Sequence, residues 1–380
     1  MRNDPTGNRL DSSPLSADPA PNPNSDPEFR RDPVSGWWVV VAPDRSQRPM
    51  VLEEAGQRDR IGVERSPCPF CPGQEQETPH EVFAIREPGT LPDSPGWRLR
   101  VVPNKFPAVR LHPNPPLVSA RSGEELASPV GEVGADEPPL FDRLPGVGRH
   151  EVVIESAAHL TNPALLPDDL FRAIFLVYRD RLIALSADPA LRYAAVFKNV
   201  GTEAGASLGH GHSQIVATPL IPDLIARELR GADDHFRRTG QCLFCTLLAH
   251  ERADGSRIVA ESAGFVAVTA FAPRFAYEVW VLPKAHASRY ECLTAAEVDD
   301  LAGLMKGLVR AIDRTLGEPA YNWFLHTSPL RSADLPFYHW HFEILPRSSR
   351  PAGFEWGTGC FVTAVTPEAA AAALRSVWRS

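Results

Sequence analysis

Cysteines and histidines recur in this sequence in an arrangement that suits metal binding. Two Cys-x-x-Cys pairs are present, Cys68 with Cys71 and Cys242 with Cys245. Two thiolates from such a pair and two imidazoles from distant strands complete the tetrahedral ligand set that zinc prefers. We therefore expect metal sites at these pairs, and the alternative is that the cysteines are ordinary buried core residues.

Each Cys-x-x-Cys pair is followed along the chain by two histidines, and the separation of the two histidines is nearly the same in both cases. The first predicted ligand set is Cys68, Cys71, His159 and His210. The second predicted ligand set is Cys242, Cys245, His286 and His339. Because the pattern occurs twice, metal binding is favoured over unrelated core residues in at least one half.

The segment His210-Gly-His212-Ser-Gln214 has the composition of a nucleophilic site. Alternate side chains of an extended segment share one face, so these two histidines and the glutamine are expected to project together. An imidazole held in one tautomer is a nucleophile toward phosphorus, and a carboxamide beside it can donate to a phosphoryl oxygen. The alternative is that the paired histidines are metal ligands only.

Upstream and N-terminal residues could support such chemistry on a phosphate group. Glycines in the run 197–207 would let backbone N–H groups approach an anion. Arg45 and Arg48 could both reach a diphosphate, and Asn104 could contact a ribose or a base edge. Taken alone, the arginine pair is weak evidence, because a solvated surface pair is more common.

The second half has a counterpart of the histidine segment, His339-Trp-His341-Phe-Glu343. Glu343 stands where the first half has Gln214. An ionised carboxylate repels a phosphoryl group and cannot donate a hydrogen bond. We therefore predict that the first half is catalytic and that the second half is structural.

The elements that must position these residues also repeat. In each half a strand-like run ends near Ala-His and is followed by a helix that opens on acidic residues, and then by two more strands. Antiparallel strands with a helix packed on one face give an α+β half, and duplication would place two halves side by side.

The chain divides into four predicted regions. Residues 1–28 are rich in Pro, Asn, Asp and Ser and are predicted to be a disordered tail. Residues 29–221 form the predicted catalytic domain, with a disordered-like insertion at about 111–148. Residues 222–240 have helical periodicity and are predicted to connect the halves, and residues 241–380 form the C-terminal domain.

Composition narrows the range of partners. The chain has 380 residues, a formal net charge of −8 and a pI of about 5.9, which argues against a surface built to neutralise the phosphates of a nucleic acid. No apolar run is long enough to span a membrane, and the N-terminus lacks a signal pattern. We expect a cytoplasmic protein with small-molecule substrates.

The ordered motifs resemble a known family. The segments RRDPVSGWWVVVAPDRSQRP, CPFC, VVPNKFPAV, FKNVGTEAGASLGHGHSQI and YHWHFEILPR are similar to those of galactose-1-phosphate uridylyltransferases, the nucleotidyltransferase branch of the histidine-triad superfamily. The resemblance extends from about residue 30 to residue 380. It implies a duplicated histidine-triad-like α+β fold with antiparallel sheets.

The resemblance also implies a double displacement that belongs to galactose metabolism, the Leloir pathway. His212 would attack the α-phosphorus of UDP-glucose, expel glucose 1-phosphate and carry the uridylyl group, which galactose 1-phosphate then accepts. Gln214 would bind a phosphoryl oxygen of the intermediate. The residues that match the family's substrate contacts are Arg45, Arg48, Asn104, Asn199 and Ser207.

The resemblance implies a structural zinc on the first ligand set and leaves the second metal open. Some members hold it with histidines that match His326, His339 and His341, and others use a cysteine set. Cys242 and Cys245 favour the cysteine set here, with zinc or iron as the metal. Homodimers are common in the family, although nothing in this sequence marks an interface.

Two alternative functions follow from departures from the family pattern. The segment GFEWGTGCFVTAVTPE departs from the residues that the best-known members place around the hexose. This form is as similar to ADP-glucose phosphorylases of the same family, in which phosphate accepts the nucleotidyl group. Gly211 replaces the usual proline between the histidines, and this change together with the acidic charge leaves a non-catalytic, metal-stabilised nucleotide-binding protein as the third reading.

Overall fold

The computed structural model describes residues 28–36, 38–41, 68–111 and 146–378. The predicted tail, 1–28, and the predicted insertion, about 111–148, lie almost entirely outside these ranges. None of the helices in the described ranges is long and apolar enough to cross a membrane.

The described residues form strands and helices in an alternating order. The strands are β1 Glu28–Arg31, β2 Trp38–Val41, β3 Phe83–Arg86, β4 Trp97–Pro103, β5 Arg149–Ile154, β6 Tyr193–Val200, β7 His212–Thr218, β8 Ile258–Glu261, β9 Phe265–Thr269, β10 Val279–Pro283, β11 Tyr321–His326, β12 His341–Pro346 and β13 Phe361–Thr363. The helices are α1 Asp168–Ser186, α2 Asp223–Thr239, α3 Leu243–Asp254, α4 Ala295–Leu316, α5 Gly353–Thr358 and α6 Pro367–Trp378.

The main feature is a ten-stranded antiparallel sheet whose two halves have the same topology. The strand order is β3-β4-β5-β7-β6 in the first half and, read inward from the other edge, β8-β9-β10-β12-β11 in the second. Helix α1 connects β5 to β6 as α4 connects β10 to β11. The two halves meet where β6 pairs with β11, with Val200 opposite Tyr321 and Val196 opposite Leu325. The structure confirms the predicted duplicated α+β fold.

Helices α1 and α4 cover one face of this sheet and enclose the main core. Phe171 and Phe175 of α1 lie within 6.1–6.3 Å of Trp323 of β11, measured between ring centroids. Helix α4 begins with a capping box in which Thr294 and Glu297 satisfy each other's backbone donors. Side chains alternate along each strand, so residues between the core positions point to the opposite face.

The second half is also covered on that opposite face, which differs from the prediction of helices on one face. Ile225 and Leu229 of α2 belong to a separate core with Val268, Trp280 and Leu282 of β9 and β10. Strands β9 and β10 are buried at every position, so both of their faces require a packing layer. Helices α2 and α3 provide that layer.

A smaller sheet joins the two ends of the described chain. Strand β13 pairs in parallel with β2, which pairs with β1. Arg30 of β1 forms an ion pair with Glu368 of α6, and Arg257 binds the same carboxylate. The C-terminal segment therefore packs against N-terminal strands, across the predicted division between domains.

Candidate active site and metal centres

His212 is the first residue of β7 and is held in a single tautomer. Its Nδ1 lies 2.9 Å from the carbonyl oxygen of His210, so Nδ1 carries the proton and donates it. Nε2 is then left with a lone pair, as a nucleophile requires. The side chain is 7 % exposed, and the ring of Phe70 contacts it edge-on at 5.3 Å.

A buried ion pair lies behind the strand that carries His212. Lys198 Nζ is 2.6 Å from Glu155 Oε2, and both side chains are 1 % exposed. The same ammonium donates to the carbonyl oxygen of His212 at 3.1 Å. Burial lowers the pKa of His212, and the Lys198 charge acts in the same direction, so the imidazole is kept neutral. Sequence reasoning missed this pair, because Lys198 and Glu155 belong to no spaced motif.

Gln214 lies two residues beyond His212 on the same face of β7, within a group of polar side chains. His150 Nε2 is 2.8 Å from Gln214 Oε1. Asn104 Nδ2 is 3.5 Å from the same oxygen and 3.1 Å from His150 Nε2. The structure therefore brings the predicted residues Gln214 and Asn104 together, with His150 as a third member that the sequence did not single out.

Two further predicted substrate contacts, Asn199 and Ser207, lie around the glycine-rich loop after β6. Asn199 Nδ2 is 3.5 Å from the carbonyl oxygen of Gly205, which has a left-handed conformation with φ of +87°. Asn322, from the second half, donates to Asn199 Oδ1 at 2.7 Å and to the Ala204 carbonyl at 2.8 Å. Ser207 is exposed in the same loop.

Two of the predicted contacts, Arg45 and Arg48, lie outside the described residues. Their place in the site stays a prediction.

The structure brings the four residues of the first predicted ligand set together. Cys71 Sγ is 3.4 Å from His159 Nδ1 and 3.6 Å from His210 Nδ1, and Cys68 Sγ is 3.8 Å from His210 Nδ1. Ligand atoms around a tetrahedral metal with ordinary metal–sulfur and metal–nitrogen bonds are about 3.5 Å apart. His210 Nε2 donates to the Ser156 carbonyl at 2.8 Å, which turns Nδ1 toward the sulfurs.

The second predicted set repeats this arrangement. Cys242 Sγ is 3.4 Å from His339 Nδ1, and Cys245 Sγ is 3.7 Å from His286 Nδ1. The other ring nitrogens of both histidines face backbone carbonyls, as a ligating imidazole requires. Burial lowers the pKa of His339 to about 3, so its imidazole is neutral. In each set one sulfur is buried and the other, Cys71 or Cys245, is partly exposed.

The three histidines of the alternative set for the second metal, His326, His339 and His341, do not form one cluster. His339 faces Cys242, whereas His326 and His341 lie with two glutamates in a fully buried group. Its members are Glu228, His326, His341 and Glu343. The guanidinium of Arg274 lies between Glu343 and Glu278 and contacts both carboxylates.

His341, the second-half counterpart of His212, is sealed inside this buried group. Its exposure is 0 %, and the ring of Trp280 stacks on it at 5.2 Å. Its Nε2 is 3.6 Å from Glu343 Oε1. Among the described residues, no carboxylate forms an ion pair with His212 Nε2. His341 is thus more fully enclosed than His212, and a carboxylate lies beside it.

The described residues combine a duplicated α+β sheet with a tautomer-fixed histidine and a carboxamide two residues further on, an arrangement that suits nucleotidyl transfer. Similarity to known proteins agrees with this class. The N-terminal domain model of galactose-1-phosphate uridyl transferase matches residues 21–222, and a domain of unknown function, DUF4921, matches 169–376. The chain belongs to the galactose-1-phosphate uridylyltransferase family, and it is a nucleotidyltransferase.

Individual relatives extend over nearly the whole chain. An ADP-glucose phosphorylase of Arabidopsis thaliana is 35 % identical over 93 % of this chain and 94 % of its own. A galactose-1-phosphate uridylyltransferase of Thermotoga maritima is 26 % identical over 92 % of this chain and 98 % of its own. The crystal structure of an Arabidopsis thaliana ADP-glucose phosphorylase with bound ADP-glucose aligns with a TM-score of 0.73 and 34 % identity, covering 93 % of this chain and 99 % of that one.

Proposed function

We propose that this chain transfers a nucleotidyl group from a nucleotide sugar through a covalent intermediate on His212. The observation that carries the proposal is the hydrogen bond from His212 Nδ1 to the His210 carbonyl, because it leaves the Nε2 lone pair for attack. Nε2 forms a bond to the α-phosphorus, and the bond from that phosphorus to the bridging oxygen breaks. The sugar 1-phosphate leaves with that oxygen.

We propose ADP-glucose as the donor and inorganic phosphate as the acceptor. In the second step a phosphate oxygen attacks the phosphorus, the bond to His212 Nε2 breaks, and ADP leaves. The net reaction converts ADP-glucose and phosphate into ADP and glucose 1-phosphate. Similarity to an ADP-glucose phosphorylase at 35 % identity over nearly the full length of both chains supports this choice.

The second candidate is uridylyl transfer from UDP-glucose to galactose 1-phosphate. The match of residues 21–222 to the galactose-1-phosphate uridyl transferase domain favours it. Both candidates use the same nucleophile and differ in the base of the donor and in the acceptor.

The test is mass spectrometry of the intact protein after mixing with ADP-glucose or UDP-glucose in the absence of an acceptor. We expect an adenylyl adduct that His212→Ala cannot form and that phosphate discharges as ADP. A uridylyl adduct discharged by galactose 1-phosphate would establish the second candidate instead. If neither donor modifies the protein, the proposal is wrong and a nucleotide-binding role is left.

We propose that both Cys-x-x-Cys sets hold zinc. Two thiolates and two neutral imidazoles at tetrahedral spacing form a closed structural site, which contributes to folding and not to the reaction. Metal analysis of the purified protein should give about two equivalents of zinc per chain. About one equivalent or less would contradict the assignment of zinc to both sets.

A further inference from the structure

His150 is a partly buried histidine whose tautomer follows from its hydrogen bonds. It is the second residue of β5, and its Nδ1 accepts a hydrogen bond from the backbone N–H of Ala108 at 3.0 Å. An acceptor nitrogen has no proton, so in the neutral ring the proton is on Nε2. Nε2 is therefore a donor, and it points at Gln214 Oε1 from 2.8 Å.

The neighbouring amide of Asn104 is fixed in the same way. Its Oδ1 accepts from the backbone N–H of Phe106 at 2.8 Å, so its Nδ2 is turned toward Gln214. Two donors cannot bond to each other, so the 3.1 Å approach of Asn104 Nδ2 to His150 Nε2 is not a hydrogen bond. Both groups present an N–H to one acceptor, Gln214 Oε1.

This arrangement determines which end of the Gln214 carboxamide faces outward. A flipped carboxamide would put its NH₂ group against two other donors, so the oxygen is held inward and Nε2 outward. In the described part of the chain no acceptor is bonded to Gln214 Nε2. Its N–H groups are thus available to a ligand beside His212.

We infer that His150 is a positioning residue that holds Gln214 with its NH₂ group toward the transferred phosphoryl group. The inference rests on the proposed function and adds to it a residue outside the histidine motif. A carboxamide oriented in advance can donate to a non-bridging oxygen as negative charge develops there, with no reorganisation during the reaction. Without this restraint, the Gln214 side chain would turn its oxygen toward the phosphoryl group part of the time, and that oxygen would repel the developing negative charge.

In the second half, the strand position that corresponds to Gln214 has different neighbours. Glu343 replaces Gln214 and has no N–H to orient, and the cation of Arg274 takes the place of the neutral donors. The neutral donor pair of His150 and Asn104 is thus matched to a carboxamide, and the cation to a carboxylate.

The test is a double-mutant cycle on the rate of nucleotidyl-enzyme formation, measured by rapid quench and intact mass. We expect His150→Ala to slow this step about 10–100-fold while the donor concentration for half-maximal rate changes little. In a Gln214→Ala background the same substitution should have less than about a 3-fold effect. His150→Gln, which places a side-chain NH₂ near the position of Nε2, should recover part of the rate.

Equal effects of His150→Ala in both backgrounds would overturn the positioning role and leave the proposed function intact. A wild-type chain that forms no adduct would overturn both. If His150→Ala does not fold, the ¹⁵N spectrum of the histidines in the full-length protein is the second measurement. It should show His150 as the neutral ring with the proton on Nε2, and a proton on Nδ1 would overturn the inference.

Discussion

The proposed reactive nitrogen of this protein is defined by a hydrogen bond to a backbone group. The carbonyl of His210 fixes the tautomer of His212, and the amide of Ala108 fixes that of His150. Both rings are therefore held in one orientation by the folded backbone before substrate arrives. A change at either ring should therefore alter the rate of reaction more than the affinity for substrate.

Replacing Gln214 by Glu tests the need for a donor beside His212. The carboxylate keeps the shape of the side chain but loses both N–H groups, and its charge repels the phosphoryl group. At neutral pH we expect adduct formation to slow by about 10²–10³-fold. Gln214→Ala is the control, and it should be the faster of the two variants. An unchanged rate in Gln214→Glu would show that no donor is needed.

Asp32 offers a pH-dependent test of stability. Its Oδ1 accepts from the backbone N–H groups of Val34 and Ser35 and from the Ser35 hydroxyl. Burial raises the pKa of Asp32 from 3.8 to about 6. Because the folded-state pKa is raised, protonation contributes stability that is complete below about pH 4 and is lost as pH rises through about 6.

Asp32→Asn keeps an oxygen acceptor and cannot ionise. We therefore expect its free energy of unfolding to exceed that of the wild type at pH 8, by about 1–3 kcal/mol, and to approach the wild-type value near pH 4. Urea unfolding at the two pH values measures this difference. A variant that is less stable than the wild type by the same amount at both values would contradict the expectation.

At the scale of elements, Gly211 joins the start of β7 to the loop that carries His159. Its N–H donates to the Leu160 carbonyl at 2.8 Å, and a Cβ at this position would lie 2.8 Å from the same oxygen. The usual proline of the family has no N–H and a bulkier ring. The glycine therefore permits a close backbone contact between the strand that bears His212 and the loop that bears His159.

Substitutions at Gly211 separate the contact from the hydrogen bond. Gly211→Ala introduces only the close contact, whereas Gly211→Pro also removes the donor and leaves the Leu160 carbonyl without it. We expect the proline variant to be less stable than the alanine variant by about 1–3 kcal/mol in urea unfolding. Equal midpoints would show that the hydrogen bond contributes nothing.

The strands and helices that occur in both halves could be predicted from the sequence, because the motifs that accompany them repeat. Recurring Cys-x-x-Cys pairs and histidine segments predicted both ligand sets and the duplicated fold. The helix layer of α2 and α3 on the second face was missed, because a strand buried on both faces has no alternating pattern. His150 and the Lys198–Glu155 pair were missed because their partners are distant in sequence, and strand register alone brings them together.

At the scale of the whole molecule, the two halves form one continuous sheet and are expected to unfold together. Separation at the β6–β11 pairing would expose two strand edges and the core beneath them. Loss of one metal centre should thus destabilise both halves.

Two matched substitutions, Cys71→Ser and Cys245→Ser, test this expectation. Each should remove about one equivalent of zinc. Each variant should still unfold in a single transition, with a free energy of unfolding lower than that of the wild type by more than about 4 kcal/mol. The readouts are metal analysis and urea unfolding followed by circular dichroism and by tryptophan fluorescence. Two separate transitions in either variant would show that the halves are independent.

The unequal exposure of the sulfurs in each Cys-x-x-Cys pair determines how oxidants would damage this protein. Peroxide reaches Cys71 and Cys245 first, because Cys68 and Cys242 are buried. A sulfenic acid formed on the outer sulfur condenses with the inner thiolate to a disulfide, and the proposed zinc would then lose two ligands at once. Inactivation by peroxide should therefore be accompanied by metal release and be reversed by a thiol reductant with added zinc, even though the proposed nucleophile is a histidine.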